Sequence, residues 1–167
     1  GGIRPGDYVL IWGAAGGIGS MAIQVCKVFR AHAIAVAASP EKLEFCKKLG
    51  AEFLINRRTQ DVSQEVRNIV GRRGVDIVFE HPGQATMNLS LRLARWGGKV
   101  ITSGATSGYD ATIDLRHIFF RQVQLIGSTL GTVDELREAL RMVEKGHIKP
   151  VIYRVLPMSQ VGEAQRL

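Results

Sequence analysis

A glycine-rich turn carries the residue types that most directly indicate chemistry in this sequence. It lies between an apolar run at 8–12 and a segment at 20–29 whose apolar residues recur at helical spacing. Glycines there would let the backbone approach a pyrophosphate, and free N–H groups at the start of the helix would face its charge. The residues of the turn predicted to contact a dinucleotide are Ala14, Gly16, Gly17, Ile18 and Gly19. Alanine at the first motif position departs from the usual glycine, and the alternative reading is a tight turn without a ligand.

The position that usually distinguishes NAD from NADP holds no carboxylate. An NAD-binding fold places Asp or Glu about 20 residues after the motif, where it accepts hydrogen bonds from the ribose diol. In this sequence that place reads Ala37, Ala38 and Ser39. Ser39 and Lys42 lie just beyond the second strand and Arg57 follows the third predicted strand, and such donors suit a 2′-phosphate, so all three are predicted to bind the cofactor. The pattern favours NADP(H), with NAD(H) as the alternative; Lys42 and Arg57 could also be solvated surface charges.

The elements that must position these residues alternate between strands and helices. Short turns between them imply a parallel sheet covered on both faces, with right-handed crossovers. We therefore expect an α/β fold, a Rossmann doubly wound parallel sheet of about six strands with helices on both faces. The predicted strands are 8–12, 33–37, 52–55, 75–80, 99–103 and 122–126, with one more at 151–155. The predicted helices are 20–29, 40–49, 62–70, 85–94, 114–120 and 133–145, with a last one at 159–167.

Composition limits the classes of function. The 167 residues are 46% hydrophobic and 22% charged, which suits one globular domain over 1–167. The apolar runs are too short to span a bilayer, so we expect no membrane partner and a cytoplasmic location. The net charge of +7 suits an anionic partner. The basic residues come mostly as pairs without interleaved aromatic residues, so we expect no nucleic acid.

The sequence offers no evident metal site. Cys26 and Cys46 do not form a CxxC pair, and each lies in a predicted helix. The four histidines are scattered without the spacing of metal ligands. We therefore expect no metal in this chain, and we name no catalytic residue.

Four segments resemble the nucleotide-binding domain of medium-chain dehydrogenase/reductases. They read VLIWGAAGGIGS at 9–20, SPEKLE at 39–44, GVDIVFE at 74–80 and GGKVITSG at 97–104. The resemblance covers nearly the whole chain. The turn that starts with alanine is more similar to the quinone oxidoreductase and enoyl reductase branch, which uses NADPH without a catalytic metal, than to the zinc alcohol dehydrogenase branch.

The resemblance implies roles for further residues. Lys42 and Arg57 would contact the 2′-phosphate, and Ser128 would lie near the nicotinamide end. The loop that would line the nicotinamide and its ribose consists of Ser103, Gly104, Ala105 and Thr106. FEHPG at 79–83 and TSGY at 106–109 also resemble crotonyl-CoA carboxylase/reductase, in which this histidine lies near the reacting site. His81 and Gly83 therefore join the predicted cofactor-binding residues, although His81 could instead cover the adenosine side.

The resemblance implies an NADP-dependent oxidoreductase that transfers hydride between NADPH and a quinone, enone, enoyl thioester or carbonyl. Members begin with a GroES-like substrate domain and return to it, so we expect a fragment that contacts the small-molecule substrate through the missing domain and is inactive alone. The alternatives are an enoyl-CoA reductase like crotonyl-CoA carboxylase/reductase, a non-catalytic NADP-sensing module and, more remotely, a methyltransferase. A homodimer through the sixth strand, at 123–127, is one possibility.

Overall fold

The computed structural model describes residues 2–167 and contains a six-stranded, all-parallel sheet. The strands are β1 (Tyr8–Ile11), β2 (His32–Ala37), β3 (Phe53–Asn56), β4 (Val75–Glu80), β5 (Ala94–Thr102) and β6 (Gln124–Gly127). Their order in the sheet is β3-β2-β1-β4-β5-β6. The order reverses between β1 and β4, and ligands of such sheets bind beyond the carboxyl ends of the strands at this reversal. The predicted α/β doubly wound sheet is confirmed.

Local sequence signals fix the ends of several helices. The helices are α1 (Gly17–Val28), α2 (Pro40–Leu49), α3 (Val62–Val70), α4 (Met87–Leu93), α5 (Leu115–Phe119), α6 (Val133–Glu144) and α7 (Val161–Ala164). The hydroxyl of Ser39 accepts a hydrogen bond from the backbone N–H of Lys42 at 3.4 Å, and Gly50 ends α2 with φ of +110°. Thr132 and Glu135 form a capping box that starts α6. None of the helices in residues 2–167 has the length and apolar character needed to cross a bilayer.

The two faces of the sheet bury separate apolar layers. Leu10 and Val78 pack in one layer with residues of α3 and α4. Val9 and Ile77 belong to the other layer, which includes residues of α1 and α2. Successive side chains of a strand point to opposite faces, so strands covered on both sides need continuous apolar runs. This explains why the adjacent strands β1 and β2 read as nearly continuous hydrophobic segments in the sequence.

The predicted strand at 151–155 is wrong, because no residue of that segment joins the sheet. The side-chain amide of Gln24 in α1 accepts a hydrogen bond from the backbone N–H of Lys149 at 2.8 Å and donates one to its carbonyl at 3.0 Å. This pair of hydrogen bonds holds the chain against α1 at Lys149, two residues before the predicted strand. The predicted helix at 85–94 is also shorter, since β5 already begins at Ala94.

β6 forms one edge of the sheet. It is hydrogen-bonded to β5, and the side chain of Leu125 in β6 is 43% exposed. An open strand edge can pair with another chain. The homodimer through β6 stays a prediction.

Asp76 connects the amino ends of three strands. Its side chain is 6% exposed and accepts hydrogen bonds from the backbone N–H of Tyr8, from Arg73 and from Arg95 at 2.8, 2.7 and 2.5 Å. Burial alone would raise the pKa of this carboxyl group. The hydrogen bond from Tyr8 and the two arginines outweigh burial and lower the pKa below its ordinary value of 3.8.

We predict that Asp76→Asn lowers the free energy of unfolding at pH 7 by about 2 kcal/mol, because the amide cannot serve the two charged donors. A group with a lowered folded pKa stabilises the protein above pH 3.8 and loses this effect as the pH falls through the folded pKa. The difference between the two proteins should therefore shrink at low pH. Urea denaturation at several pH values measures this difference in the free energy of unfolding. Asp134→Asn, at an exposed position, is the control. Equal stability of the original protein and Asp76→Asn at pH 7 would contradict the prediction.

Candidate cofactor-binding site

The glycine turn after β1 leaves the first turn of α1 open. A Cβ atom on Gly19 would lie 2.6 Å from the carbonyl oxygen of Gly13 and 2.7 Å from Cα of Ala14, so α1 and the turn touch through backbone. A Cβ atom on Gly17 would meet nothing within 4 Å. Gly16 caps α1 without a side-chain hydrogen bond, and no acidic residue lies in the first turn. The N–H groups at this helix end are therefore available to an anion.

A cleft of about 780 Å³ lies beside the open helix end. The first turns of α1 and α2 and the segment 150–153 form its walls. The lining residues are Ala15, Gly16, Gly17, Ser20, Met21, Glu41, Lys42, Phe45, Pro150, Val151, Ile152 and Tyr153. The size is that of a small-molecule site. The structure thus brings Lys42 to the same cleft as Gly16 and Gly17.

Glu41 places a carboxylate in this cleft that the sequence analysis did not consider. The backbone N–H of Glu41 and then the hydroxyl of Ser39 lower the pKa of this exposed carboxyl group, so it is ionised at neutral pH. The expected position of an acid was 37–39, whereas Glu41 lies in the first turn of the following helix. The available signal was an acidic residue directly after Ser39 and Pro40. Its negative charge opposes that of Lys42.

Arg57 lies outside the cleft of Lys42. Its backbone N–H donates to the carbonyl of Ala37 at 3.0 Å, which places it at the carboxyl ends of β2 and β3. Its side chain lines a second cavity, of about 430 Å³, together with Asp61 and Arg92. The structure therefore does not bring Lys42 and Arg57 into one cavity, and their contacts with a 2′-phosphate stay predictions.

A buried carboxylate fixes the loop after β4. Glu80 is fully buried, and its Oε1 accepts hydrogen bonds from the backbone N–H of Gly83 at 2.9 Å and from Thr86 Oγ1 at 2.7 Å. Its Oε2 accepts from Ser90 Oγ, which in turn accepts from Trp12 Nε1 at 2.9 Å. Sequence reasoning gave these polar residues no role, although an acid at the end of an apolar strand was a visible signal. Glu80 holds the loop without facing the cleft.

The loops after β4, β5 and β6 lie side by side. The backbone N–H groups of Ser103 and Thr106 donate to the carbonyls of Glu80 and His81 at 3.2 and 3.3 Å. The N–H of Ser128 donates to the carbonyl of Thr102 at 2.9 Å. The predicted residues that the structure brings together here are His81, Gly83, Ser103, Gly104, Ala105, Thr106 and Ser128. Their contact with a nicotinamide stays a prediction.

His81 packs directly on the glycine turn. A Cβ atom on Gly13 would lie 2.7 Å from Nε2 of the imidazole, and Gly13 has φ of +55°, so this position requires glycine on both counts. Nδ1 of His81 is buried and has no hydrogen-bond partner within residues 2–167. The ring therefore links the loop after β4 to the turn after β1. Both readings of His81, near the reacting site or covering the adenosine side, stay open.

Comparison with known proteins identifies the family. The sequence pattern of zinc-binding dehydrogenases matches residues 17–145. The chain belongs to this family. It is 36% identical to the crotonyl-CoA reductase of Streptomyces collinus over 97% of the chain, and 31% identical to an NAD-dependent alcohol dehydrogenase of Saccharolobus solfataricus over the same share. The chain spans 40% and 47% of the lengths of these two relatives.

A solved structure supports the same assignment. The NADP complex of a variant of the crotonyl-CoA carboxylase/reductase AntE superposes with a TM-score of 0.93 at 35% identity. The comparison covers 98% of this chain and 46% of that one. The predicted resemblance to medium-chain dehydrogenase/reductases is confirmed. Within residues 2–167 no group of three or more His, Cys, Asp or Glu side chains could hold a metal ion.

We predict that Gly19→Ala lowers the free energy of unfolding by about 2 kcal/mol, because its methyl group must push α1 away from the turn. Gly17→Ala is the matched control. It adds the same methyl group two residues away in open space and should change stability by less than about 0.5 kcal/mol. Chemical denaturation of both variants measures the difference. Equal losses would show that the close contact at Gly19 does not limit the packing of α1.

Proposed function

We propose that this chain is the NADP(H)-binding part of an enzyme that reduces the carbon–carbon double bond of an α,β-unsaturated thioester. The observation that carries the proposal is the open end of α1 at Gly17, which shares its cleft with the cation Lys42. Gly17 offers space where a side chain would block a pyrophosphate. The donors present therefore fit a dinucleotide phosphate.

The loops and helix ends at the carboxyl ends of the strands each have a role in this proposal. The N–H groups at the start of α1 bind the pyrophosphate, and Lys42 binds the 2′-phosphate. The loop at 103–106 and the neighbouring His81 orient the nicotinamide. NADPH, when bound, would supply the hydride for the β-carbon of the thioester, and solvent would supply the proton for the α-carbon.

The relatives support the thioester as substrate. The names of the Streptomyces collinus and AntE proteins both specify crotonyl-CoA, and the AntE structure holds NADP. The chain covers less than half of each of these proteins. In our proposal residues 1–167 form a single NAD(P)-binding domain of a longer enzyme, and the remainder of that enzyme supplies the substrate pocket. This chain alone would then bind cofactor without turnover.

NAD-dependent alcohol oxidation is the second candidate, and Glu41 is the observation that favours it. A carboxylate near the adenosine ribose accepts hydrogen bonds from the diol of NAD and repels a 2′-phosphate. The Saccharolobus solfataricus relative is named as an NAD-dependent alcohol dehydrogenase. In the first candidate function Lys42 contacts the 2′-phosphate of NADP. In the second, Glu41 contacts the ribose diol of NAD.

Calorimetric titration with NADPH and NADH tests the cofactor. We expect NADPH to bind more tightly and Lys42→Ala to weaken it by roughly tenfold, about 1.4 kcal/mol, through the loss of a charged contact with the 2′-phosphate. Lys48→Ala is the matched control, since it removes an equally exposed lysine from the far end of α2. Arg57→Ala tests the other predicted contact with the 2′-phosphate in the same way, and Arg58→Ala is its control. Tighter binding of NADH would favour the second candidate.

Glu41→Gln distinguishes the candidates by an opposite change. Removing this carboxylate should strengthen NADPH binding, because it deletes a negative charge from the cleft of Lys42. NADH binding should weaken if Glu41 holds the ribose diol. The ratio of the two dissociation constants, measured at low and at high salt, reports the effect. An unchanged ratio would place Glu41 outside the binding site.

The longer protein tests the reaction itself. It should oxidise NADPH in the presence of crotonyl-CoA. The loss of absorbance at the band of the reduced nicotinamide measures this oxidation. Cofactor binding without turnover across enoyl thioesters, enones and carbonyls would instead indicate the non-catalytic sensing module.

A further inference from the structure

Two adjoining cavities between α3 and α4 form a basic groove, and the proposed function uses only Arg57 among its lining residues. The cavities have volumes of about 430 and 300 Å³ and share Ser63, Arg67 and Arg92 in their walls. We call this surface the arginine groove. The arginines that line it are Arg57, Arg67, Arg72, Arg92 and Arg121.

The arginine groove concentrates positive charge. Asp61 is the one acidic residue among its lining residues, so five arginines and one aspartate give a formal charge of +4. Oδ1 of Asp61 accepts a hydrogen bond from the backbone N–H of Gln64 at 2.9 Å, because Asp61 caps α3. More than half of the protein's net charge of +7 is therefore located on this one surface.

Most arginines of the groove have no acidic partner among residues 2–167. Elsewhere arginines pair with acids, as Arg73 does with Asp76 at 2.7 Å. The side chains of Arg67, Arg72 and Arg92 hold no ion pair or hydrogen bond in the part of the chain that the structure describes. Like charges gathered around one groove repel one another, and a bound anion would remove this repulsion.

One guanidinium group of the groove is already held in place. Nη1 of Arg121 donates to the carbonyl of Arg92 at 3.0 Å, and Nη2 donates to the carbonyl of Ala94. The hydroxyl of Ser63, half-buried where the cavities meet, has no partner among residues 2–167. The fixed guanidinium loses little conformational freedom when it binds a ligand, and the hydroxyl is free to donate a hydrogen bond to it.

We propose that the arginine groove binds a phosphate-bearing small anion, with Arg67 and Arg92 contacting the phosphate groups where the two cavities meet. Guanidinium groups bind phosphate through paired N–H donors, and Ser63 adds a hydroxyl. Cavities of a few hundred Å³ hold a small molecule rather than a nucleic acid. Inorganic pyrophosphate and the diphosphate of a nucleotide share this chemistry. The groove is distinct from the cleft of Gly17 and Lys42, because the two have no lining residue in common.

Calorimetric titration with inorganic pyrophosphate, with and without saturating NADPH, tests the proposal. We expect binding in both conditions and a loss of roughly tenfold or more in the double variant Arg67→Gln/Arg92→Gln, since two charged contacts are removed. Arg58→Gln/Arg166→Gln is the control, because it removes two exposed arginines outside the groove. If the first variant fails to fold, Arg67→Lys/Arg92→Lys keeps the charge, loses the paired donors and should still weaken binding.

Several outcomes would overturn the proposal. These are absence of pyrophosphate binding, equal losses in the two glutamine variants, loss of binding when NADPH saturates the cleft, or equally tight binding of a hexaglutamate peptide. ADP distinguishes the two phosphate sources. Binding of ADP with the same dependence on Arg67 and Arg92 supports a nucleotide, whereas binding of pyrophosphate without ADP supports a free phosphate anion.

Discussion

The absence of a side chain at Gly19 is the constraint on which the candidate cofactor-binding site at the carboxyl ends of the strands depends. The backbone of α1 touches the turn after β1 at this residue, and a single methyl group would not fit. The close contact sets where α1 starts and directs its open N–H groups beyond the carboxyl ends of the strands. On the opposite side of the turn, Gly13 gives the imidazole of His81 the space it occupies. Two glycines thus join the loops that follow β1 and β4.

The loops after β4 and β5 are held by more hydrogen bonds than the cleft of Lys42. Glu80 accepts hydrogen bonds from the loop after β4 and from α4, and the loop after β5 bonds to the carbonyls of Glu80 and His81. Buried hydrogen bonds that form a connected network hold such a loop in one geometry. The cleft of Lys42 is formed instead by helix ends and the segment 150–153, with exposed charges. Under the proposed function, the rigid part is where hydride transfer needs exact positioning and the open part holds only phosphate and ribose.

The sequence predicted what depends on local signals and missed what depends on distant pairs. The bounds of α2 were predicted because Ser39, Pro40 and Gly50 act within a few residues of the helix ends. The false strand at 151–155 had the apolar pattern of a strand, but the chain just before it is held against α1 by Gln24, which binds Lys149 across 125 positions of sequence. The candidate site follows the same division. Its glycine turn was evident as a motif, whereas the hydrogen bond from Trp12 to Ser90, which ties the Glu80 network to the end of β1, spans 78 positions of sequence.

The distribution of charge changes the interpretation of the net charge of +7. In the sequence this charge could be attributed to an anionic cofactor, since Lys42 and Arg57 both stood near the expected adenosine end. The structure places Lys42 and Glu41, whose formal charges are opposite, in one cleft and Arg57 in another cavity. The cleft that fits a dinucleotide therefore relies on backbone N–H groups and a helix end more than on net charge. Five arginines are located instead between α3 and α4, on the surface for which we propose a separate anion.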